Sequence, residues 1–172
     1  MDASRPELGF MFDGRIAEDF KLATGTFVSV GPLRARVIAT GDPYVQDVVV
    51  AGIDRNEIGL LVFPRIDACR ALADAAHDMP IAQVLAAPAL RDLFQRLVDG
   101  LHATGSATRV ARAVVLVEPP SIDRGEITDK GSINQRAVLV QRAALVEAMY
   151  DAPDAGVIVP SPFPSASTQE RR

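Results

Sequence analysis

The chain has 172 residues, of which 48% are apolar and 23% charged, and its formal net charge is −4 at pH 7. This composition is typical of a soluble globular domain, and the acidic balance argues against a nucleic-acid binder, which normally presents a basic face. No apolar run is long enough to cross a bilayer, and residues 1–10 lack the regions of a signal peptide. A single cysteine, Cys69, cannot form an internal disulfide, so we expect a cytoplasmic protein.

The first thirty residues indicate short extended segments separated by glycine-containing turns. Aromatic strand formers are spread through this region, namely Phe10, Phe12, Phe20 and Phe27. Residues 32–40 predict a short helix, because a proline such as Pro32 is well tolerated in a first helical turn.

Two apolar runs, 45–51 and 57–63, flank the polar residues 54–56. This arrangement predicts a β-hairpin, and the unbroken apolar character predicts that both of its strands are covered on both faces. A third strand is predicted over 110–117.

Three further helices are predicted over 65–76, 88–103 and 133–150. The last is expected to begin at Ile133, because Ser132 and Gln135 have the spacing of a capping box. The tail from residue 153 is rich in proline and serine and is predicted to be disordered. The fold class is therefore α+β: a small sheet of about three main strands covered by helices, with a short β-rich N-terminal segment.

Few side chains offer independent chemistry. Two histidines and one cysteine do not form a zinc-binding pattern, and no nucleophile elbow or phosphate loop is present. We interpret His77 and His102 as residues at helix ends, Cys69 as a small packing residue and the acidic cluster near Asp13 as solvated carboxylates. No metal site is expected.

The lysines are unusual because sixteen of the eighteen basic residues are arginine. Only Lys21 and Lys130 differ, and Lys130 lies in a polar loop between Asp129 and Gly131. A lysine offers a compact charge on a flexible stem, which suits contact with a phosphate or carboxylate oxygen. On local context alone, an ordinary solvated loop lysine is the better explanation of the position.

Two stretches resemble motifs of one enzyme superfamily. The segment DGRIAEDFKLATGTFVSVGPLR, residues 13–34, resembles the hinge and following loop of adenylate-forming acyl-CoA synthetases. The segment RGEITDKGSINQR, residues 124–136, resembles their terminal catalytic-lysine motif. The wording is most similar to that of the feruloyl-CoA synthase group, and the resemblance extends over residues 9–150.

The resemblance implies a two-step ligase reaction. A carboxylic acid first attacks ATP to give an acyl-adenylate and pyrophosphate, and the thiol of CoA then displaces AMP to give a thioester. Lys130 matches the lysine that enters the active site for adenylation, where its charge would stabilise the developing negative charge. ATP and CoA are thus expected as substrates, with an aromatic carboxylic acid.

For the second step the resemblance implies a rotation of the domain about a hinge. Arg15 matches an arginine that binds the ribose of the nucleotide, and Glu18 falls at the hinge position with Asp19 beside it. The loop from Lys21 to Gly25 would then face CoA, with Gly25 leaving space for the pantetheine arm.

Three positions depart from the superfamily pattern. Phe27 stands where many relatives carry arginine, which removes one possible contact with CoA. Arg34 stands where the loop usually ends in glutamate. The lysine motif reads KGSINQR instead of the common order G-K-x-x-R.

The resemblance covers only the small C-terminal lid of such enzymes. The segments that hold ATP and its Mg²⁺ belong to an N-terminal adenylation domain, so we expect that domain as a partner, in cis or in trans. No cofactor is expected to bind this chain alone, which we expect to be inactive by itself, with no nucleic acid or membrane as partner. The expected organisation is a lead-in over 1–14, the lid over 15–152 and a tail over 153–172.

Two alternatives remain open. The chain could be a free-standing, non-catalytic module of the same fold that binds or regulates a partner. It could also be a small α+β binding domain whose motifs resemble those of the ligases by chance.

Overall fold

A computed structural model of the chain describes residues 18–103, 109–151 and 156–162. The strands are β1 Phe20–Lys21, β2 Phe27–Val28, β3 Val45–Ala51, β4 Ile58–Pro64, β5 Val110–Val115 and β6 Val157–Ile158. The helices are α1 Val30–Gly41, α2 Ile66–Leu72, α3 Ile81–Leu85, α4 Pro88–His102, α5 Gln135–Gln141 and α6 Ala143–Asp151. Among these described helices, none has the length and apolar character needed to cross a membrane.

The main sheet has the strand order β3-β4-β5-β6, and β1 and β2 form a separate small hairpin. Strand β4 pairs antiparallel with β3 and parallel with β5, and β5 pairs antiparallel with β6. The predicted α+β class is confirmed, and so is the predicted hairpin over the two apolar runs. Helix α3 was not predicted from the sequence.

The prediction of a disordered tail was wrong for residues 156–162. Val157 and Ile158 pair with Val114 and Ala113 of β5 and extend the sheet to a fourth strand. Ser161 then donates its backbone N–H to the carboxylate of Asp99 at 2.7 Å, which fixes the segment on α4. Proline and serine content did not predict this pairing, because the open edge of β5 provides the partner.

Both faces of the sheet are covered, as the unbroken apolar runs predicted. On β3, Val48 and Val50 pack into a cluster with α1 and α4, which we call the first core. Val49 and Ala51 point to the opposite face and pack with α5 and α6 in the second core. Because side chains alternate along a strand, each run had to be apolar throughout to supply two cores.

Strand β3 lies at the edge of the sheet, and side chains cover its outward backbone groups. The Val48 N–H donates to the carboxylate of Asp47 at 2.7 Å, and Arg34 holds that carboxylate with two hydrogen bonds of 2.7 and 2.6 Å. The Val50 N–H donates to the Gln135 side chain at 3.0 Å, and the Gln135 amide donates to the Val50 carbonyl at 2.7 Å. This edge is thereby protected against pairing with another chain.

The predicted capping box at Ser132 was wrong. The N-cap of α5 is Asn134, whose side chain accepts the Ala137 N–H at 3.2 Å. Gln135 is turned away from the helix start and buried against β3. The predicted helix 133–150 is also interrupted at Arg142, which ends α5 before α6 begins.

The buried amide of Gln135 allows a direct test of this edge. Replacing Gln135 with alanine leaves the N–H and the carbonyl of Val50 buried without partners, and each such group costs about 1–3 kcal/mol. We expect Gln135→Ala to lower the free energy of unfolding, measured in urea, by at least about 2 kcal/mol. Gln141→Ala, at an exposed position of the same helix, is the control and should change it by less than about 0.5 kcal/mol. If both substitutions lowered the free energy of unfolding equally, the hydrogen bonds of Gln135 to Val50 would not be what stabilises this edge.

Candidate functional site

Lys130 lies at the tip of a tight turn, Thr128–Ser132, which we call the lysine turn. The Gly131 N–H donates to the Thr128 carbonyl at 2.8 Å, and the Thr128 N–H donates to the Ser132 carbonyl at 2.8 Å. The hydroxyl groups of Thr128 and Ser132 are also 2.8 Å apart and share a hydrogen bond. The turn is therefore closed by three hydrogen bonds, and the side chain of Lys130 is exposed.

The two isoleucines that flank the lysine turn fix its base. Ile127 and Ile133 form an isolated antiparallel bridge and both pack into the second core. Apolar burial on both sides of a five-residue turn restricts its orientation relative to the sheet.

A buried ion pair holds the segment that precedes the turn. Arg142 donates from Nε to Glu126 Oε1 at 2.8 Å and from Nη2 to Oε2 at 2.9 Å. The side chain of Glu126 is completely buried, and that of Arg142 is 8% exposed. This two-point geometry fixes direction as well as distance. The guanidinium also lies 5.2 Å from the centre of the Phe63 ring, on β4.

The same two side chains bring further backbone segments together. Arg142 donates to the carbonyls of Glu118 and Pro119 at 3.2 and 2.9 Å. The Glu126 carboxylate accepts the Ser121 N–H at 2.7 Å. The backbone carbonyl of Glu126 accepts the Asn134 N–H at 2.8 Å. The pair thus joins the loop after β5, the segment before the lysine turn and the end of α5.

The ion pair also changes the titration of Glu126. The hydrogen bonds from Arg142 hold the pKa of the carboxyl below its ordinary value, although burial opposes them. A carboxyl whose pKa is lower in the folded than in the unfolded protein contributes stability above the unfolded pKa, about 4.3. That contribution is lost as the pH falls through the lowered pKa.

The arrangement explains most of the quoted lysine motif. Within residues 126–135 the exposed positions are Asp129, Lys130 and Gly131. The buried positions are Glu126, Ile133 and Gln135, which bind Arg142, the second core and β3 respectively. The residues around the lysine are therefore structural, and they present the lysine at the surface.

The second candidate element is the glycine loop, Leu22–Thr26. The Leu22 N–H donates to the Thr26 carbonyl at 2.9 Å, and the Gly25 N–H donates to the Leu22 carbonyl at 2.8 Å. Gly25 has a φ of 84°, in the left-handed region that favours glycine. A β carbon at Gly25 would meet no atom of the described structure within 4 Å. In this chain the requirement for glycine is thus conformational.

The two loops belong to opposite faces of the main sheet. Leu22 and Val28 anchor the β1–β2 hairpin in the first core, whereas Ile127 and Ile133 anchor the lysine turn in the second. The hairpin also lies closely over Gly52, where an added β carbon would lie 2.9 Å from the Leu22 side chain. The structure does not bring Lys130 and Gly25 into one site.

The predicted hinge residues have structural contacts of their own. The Asp19 carboxylate accepts the Val30 N–H at 2.9 Å and so caps the start of α1 from outside the helix. The hydrogen bond from Arg34 to Asp47 raises the pKa of Arg34, and the charge of half-buried Glu18 adds to this. Arg15 lies outside the described residues.

Lys21 is exposed on β1 and lies directly across from Phe27 on β2. The Phe27 side chain is 51% exposed. The departure from arginine at this position therefore places an aromatic ring at the surface beside the lysine.

Sequence reasoning missed Glu126 and Arg142 as residues that position the site. They are sixteen residues apart and belong to no common helical or strand period. The sequence offered one signal: Glu126 stands between a glycine and an isoleucine in a segment that otherwise resembles a solvated loop.

The buried pair makes a prediction about acid stability. Glu126→Gln leaves the buried Arg142 without its counter-charge, so we expect the free energy of unfolding at pH 7 to fall by about 3 kcal/mol. Because protonation removes the same charge from the native protein, the difference between wild type and variant should shrink as the pH is lowered from 7 to 3.

Urea unfolding at a series of pH values measures this difference. Glu118→Gln removes a carboxylate from the same loop whose side chain is 72% exposed, and it should change the free energy of unfolding by less than about 0.5 kcal/mol. A Glu126→Gln difference that stays constant with pH would show that the carboxylate charge is not what stabilises the loop.

Comparison with known proteins identifies the family. A sequence profile described as the AMP-binding enzyme C-terminal domain matches residues 19–154. A comparison with curated proteins gave no significant match.

The fold is similar to parts of solved carboxylic acid reductases. The A-PCP didomain from Segniliparus rugosus, in complex with AMP, has a TM-score of 0.56 and 23% identity over 81% of this chain and 18% of that chain. The A domain of the same species, with AMP and a co-purified carboxylic acid, has a TM-score of 0.55 and 22% identity over 80% and 20%. The adenylation domain from Mycobacterium chelonae has a TM-score of 0.56 and 22% identity, also over 80% and 20%.

The chain thus spans about a fifth of the length of these structures. At 22–23% sequence identity, the structural similarity establishes a common fold alone. The sequence profile covers most of the chain and includes both loops. The protein belongs to the AMP-binding enzyme C-terminal domain family of adenylate-forming enzymes.

Proposed function

We propose that the chain is the C-terminal lid of an ATP-dependent acid–CoA ligase of the feruloyl-CoA synthase type. It would act with an N-terminal adenylation domain, in cis or in trans, in the cytoplasm. The observation that carries the proposal is the exposed Lys130, held at the tip of a turn whose flanks are fixed by burial, hydrogen bonds and an ion pair.

In the first half-reaction the lid presents Lys130 to ATP and the acid. A carboxylate oxygen attacks the α-phosphorus, a bond from that oxygen to phosphorus forms, and the bond to pyrophosphate breaks. The ammonium group stabilises the negative charge that builds up on the phosphate oxygens, an interaction whose loss costs on the order of 10²–10³ in rate. Such a charge stabilises a transition state best when it is positioned before the reaction begins. The hydrogen bonds and buried flanks of the lysine turn would provide that positioning.

The Mg²⁺ that accompanies ATP is assigned to the adenylation domain. Within residues 18–103, 109–151 and 156–162, no group of three or more His, Cys, Asp or Glu residues could hold a metal ion. In this proposal the lid supplies a cation to the reaction through the side chain of Lys130, and its partner binds the metal.

In the second half-reaction the lid rotates about the segment of Glu18 and Asp19, and the glycine loop replaces the lysine turn at the active site. The thiol of CoA attacks the acyl carbon, the thioester bond forms and AMP leaves. Support comes from the anchoring of the glycine loop and the lysine turn on opposite faces of one sheet. A rotation of the domain can then present one of them to the active site while it withdraws the other. Arg15 would contact the ribose of the nucleotide, and Lys21 would face CoA.

The choice of an aromatic acid and of CoA as acceptor rests on the wording of the two motifs. The similar solved structures are reductases described with AMP and a carboxylic acid, which agrees with adenylate chemistry. The alternative is a free-standing, non-catalytic module, for which the contacts around the lysine turn would serve stability only.

Lys130→Ala should impair only the first half-reaction. In a protein that joins this chain to its adenylation domain, we expect pyrophosphate release with ferulate and ATP to slow on the order of 10²–10³-fold. Thioester formation from pre-made acyl-adenylate should remain within about twofold, because Lys130 is withdrawn in that step. Lys21→Ala removes the same charge from β1, next to the glycine loop, and should spare adenylation. Normal pyrophosphate release by Lys130→Ala would favour the non-catalytic module.

Gly25→Leu should give the reverse pattern. A side chain there would obstruct the thiol, so we expect thioester formation to slow while pyrophosphate release stays near normal. Gly125→Leu is the matched control, since Gly125 also has a positive φ, 70°, and open space around an added β carbon. Similar destabilisation of both variants, with slow thioester formation only in Gly25→Leu, is the expected outcome. Loss of thioester formation in both would mean that backbone strain, and not the position of the loop, causes the defect.

A further inference from the structure

The glycine loop is attached to the turn between β3 and β4 through one residue. The Ala23 N–H donates to the Arg55 carbonyl at 2.8 Å. Arg55 lies in the turn Gly52–Glu57, and its own N–H donates to the Gly52 carbonyl at 3.0 Å. The position of this turn therefore contributes to the placement of the middle of the glycine loop, together with the burial of Leu22.

The side chain of Arg55 extends from the turn to α6. Its guanidinium pairs with Glu147 and lies 3.5 Å from the carboxylate of Asp151. It also lies 4.9 Å from the centre of the Tyr150 ring, within the range of a cation–π contact. Three residues within about one turn of α6 thus hold a side chain that comes from the β3–β4 turn, and Arg55 and Glu147 are 92 residues apart in the sequence.

Tyr150 and Arg112 fix the other end of the same turn. The Tyr150 hydroxyl donates to the Glu57 carbonyl at 2.9 Å, and Arg112 donates to the Glu57 carboxylate at 2.6 Å. Arg112 also donates to the Met149 carbonyl at 3.0 Å and lies 5.0 Å from the Tyr150 ring. Burial raises the pKa of Tyr150 to about 12. The middle of the β3–β4 turn, at Arg55, and its end at Glu57 are consequently both tied to α6.

We propose that Arg55 is a positioning residue for thioester formation: its carbonyl holds the glycine loop, and its guanidinium fixes that carbonyl relative to α6. The inference rests on the proposed function of the glycine loop, but the contacts themselves do not depend on it. Through α6, which follows α5 and the lysine turn in the chain, this network also connects the two loops. A rotation of the domain then moves both loops together.

The first arm of the test uses the isolated chain and needs no activity. We expect Arg55→Ala to increase the amide hydrogen exchange of Ala23 and Gly25, measured by NMR, while that of Thr128 and Gly131 stays unchanged. Arg55→Lys keeps the charge and should restore part of the protection. Arg91→Ala, at an exposed position of α4, is the control and should change neither loop.

The second arm uses the chain joined to its adenylation domain. We expect Arg55→Ala to raise the KM for CoA on the order of tenfold, within the 10²-fold that small displacements of a binding group can cost. The rate of pyrophosphate release should not change. Should Arg55→Ala fail to fold, Glu147→Ala removes a single partner of the guanidinium. It must likewise increase the amide exchange of Ala23 and Gly25 and raise the KM for CoA.

The two arms separate the inference from the function on which it rests. Unchanged exchange at Ala23 and Gly25 in a folded variant would overturn the positioning role. Increased exchange with an unchanged KM for CoA would overturn its link to thioester formation. A wild-type two-domain protein that releases pyrophosphate but forms no thioester would instead overturn the ligase proposal and leave the loop contact standing.

Discussion

The position of Lys130 depends on the buried pair between Glu126 and Arg142. Two hydrogen bonds of 2.8 and 2.9 Å join the side chains, and the same two side chains bind backbone groups of Pro119 and Ser121, between β5 and the lysine turn. A buried ion pair often adds little net stability compared with apolar residues, because desolvation offsets the attraction. Its effect here is to orient the segment before the lysine turn. The carboxylate of Glu126 accepts two hydrogen bonds from the guanidinium of Arg142, and both bonds are directional.

The lysine turn is built on a sheet whose two faces serve different loops. Alternation along β3 and β4 divides the apolar residues between a core that anchors the glycine loop and a core that anchors the lysine turn. Side-chain contacts such as those of Gln135 on the edge of β3 keep the sheet closed to other chains. A small domain with two anchored loops, instead of one cleft, suits the proposed lid, which would meet its active site in two orientations.

The sequence predicted those elements whose signals are local. The hairpin of β3 and β4 followed from two apolar runs around a polar turn, and α4 followed from its apolar stripe. It did not predict β6, because pairing with the edge of β5 is a long-range event. Gln135 was assigned to a capping box for the same reason: its partner, Val50, is 85 residues away. Lys130 and Gly25 could be selected from motifs, whereas Glu126 and Arg142 could not, since only the folded chain brings them together.

A double-variant measurement in the two-domain protein tests most directly whether the buried pair acts through the lysine. Pyrophosphate release would be compared for Lys130→Ala, Glu126→Gln and the combination of the two, at a temperature where all three remain folded. If the pair serves to position Lys130, Glu126→Gln alone slows release, and the combined variant is no slower than Lys130→Ala. Losses that multiply in the combined variant would show that Glu126 acts independently of Lys130, and would contradict this explanation of the site.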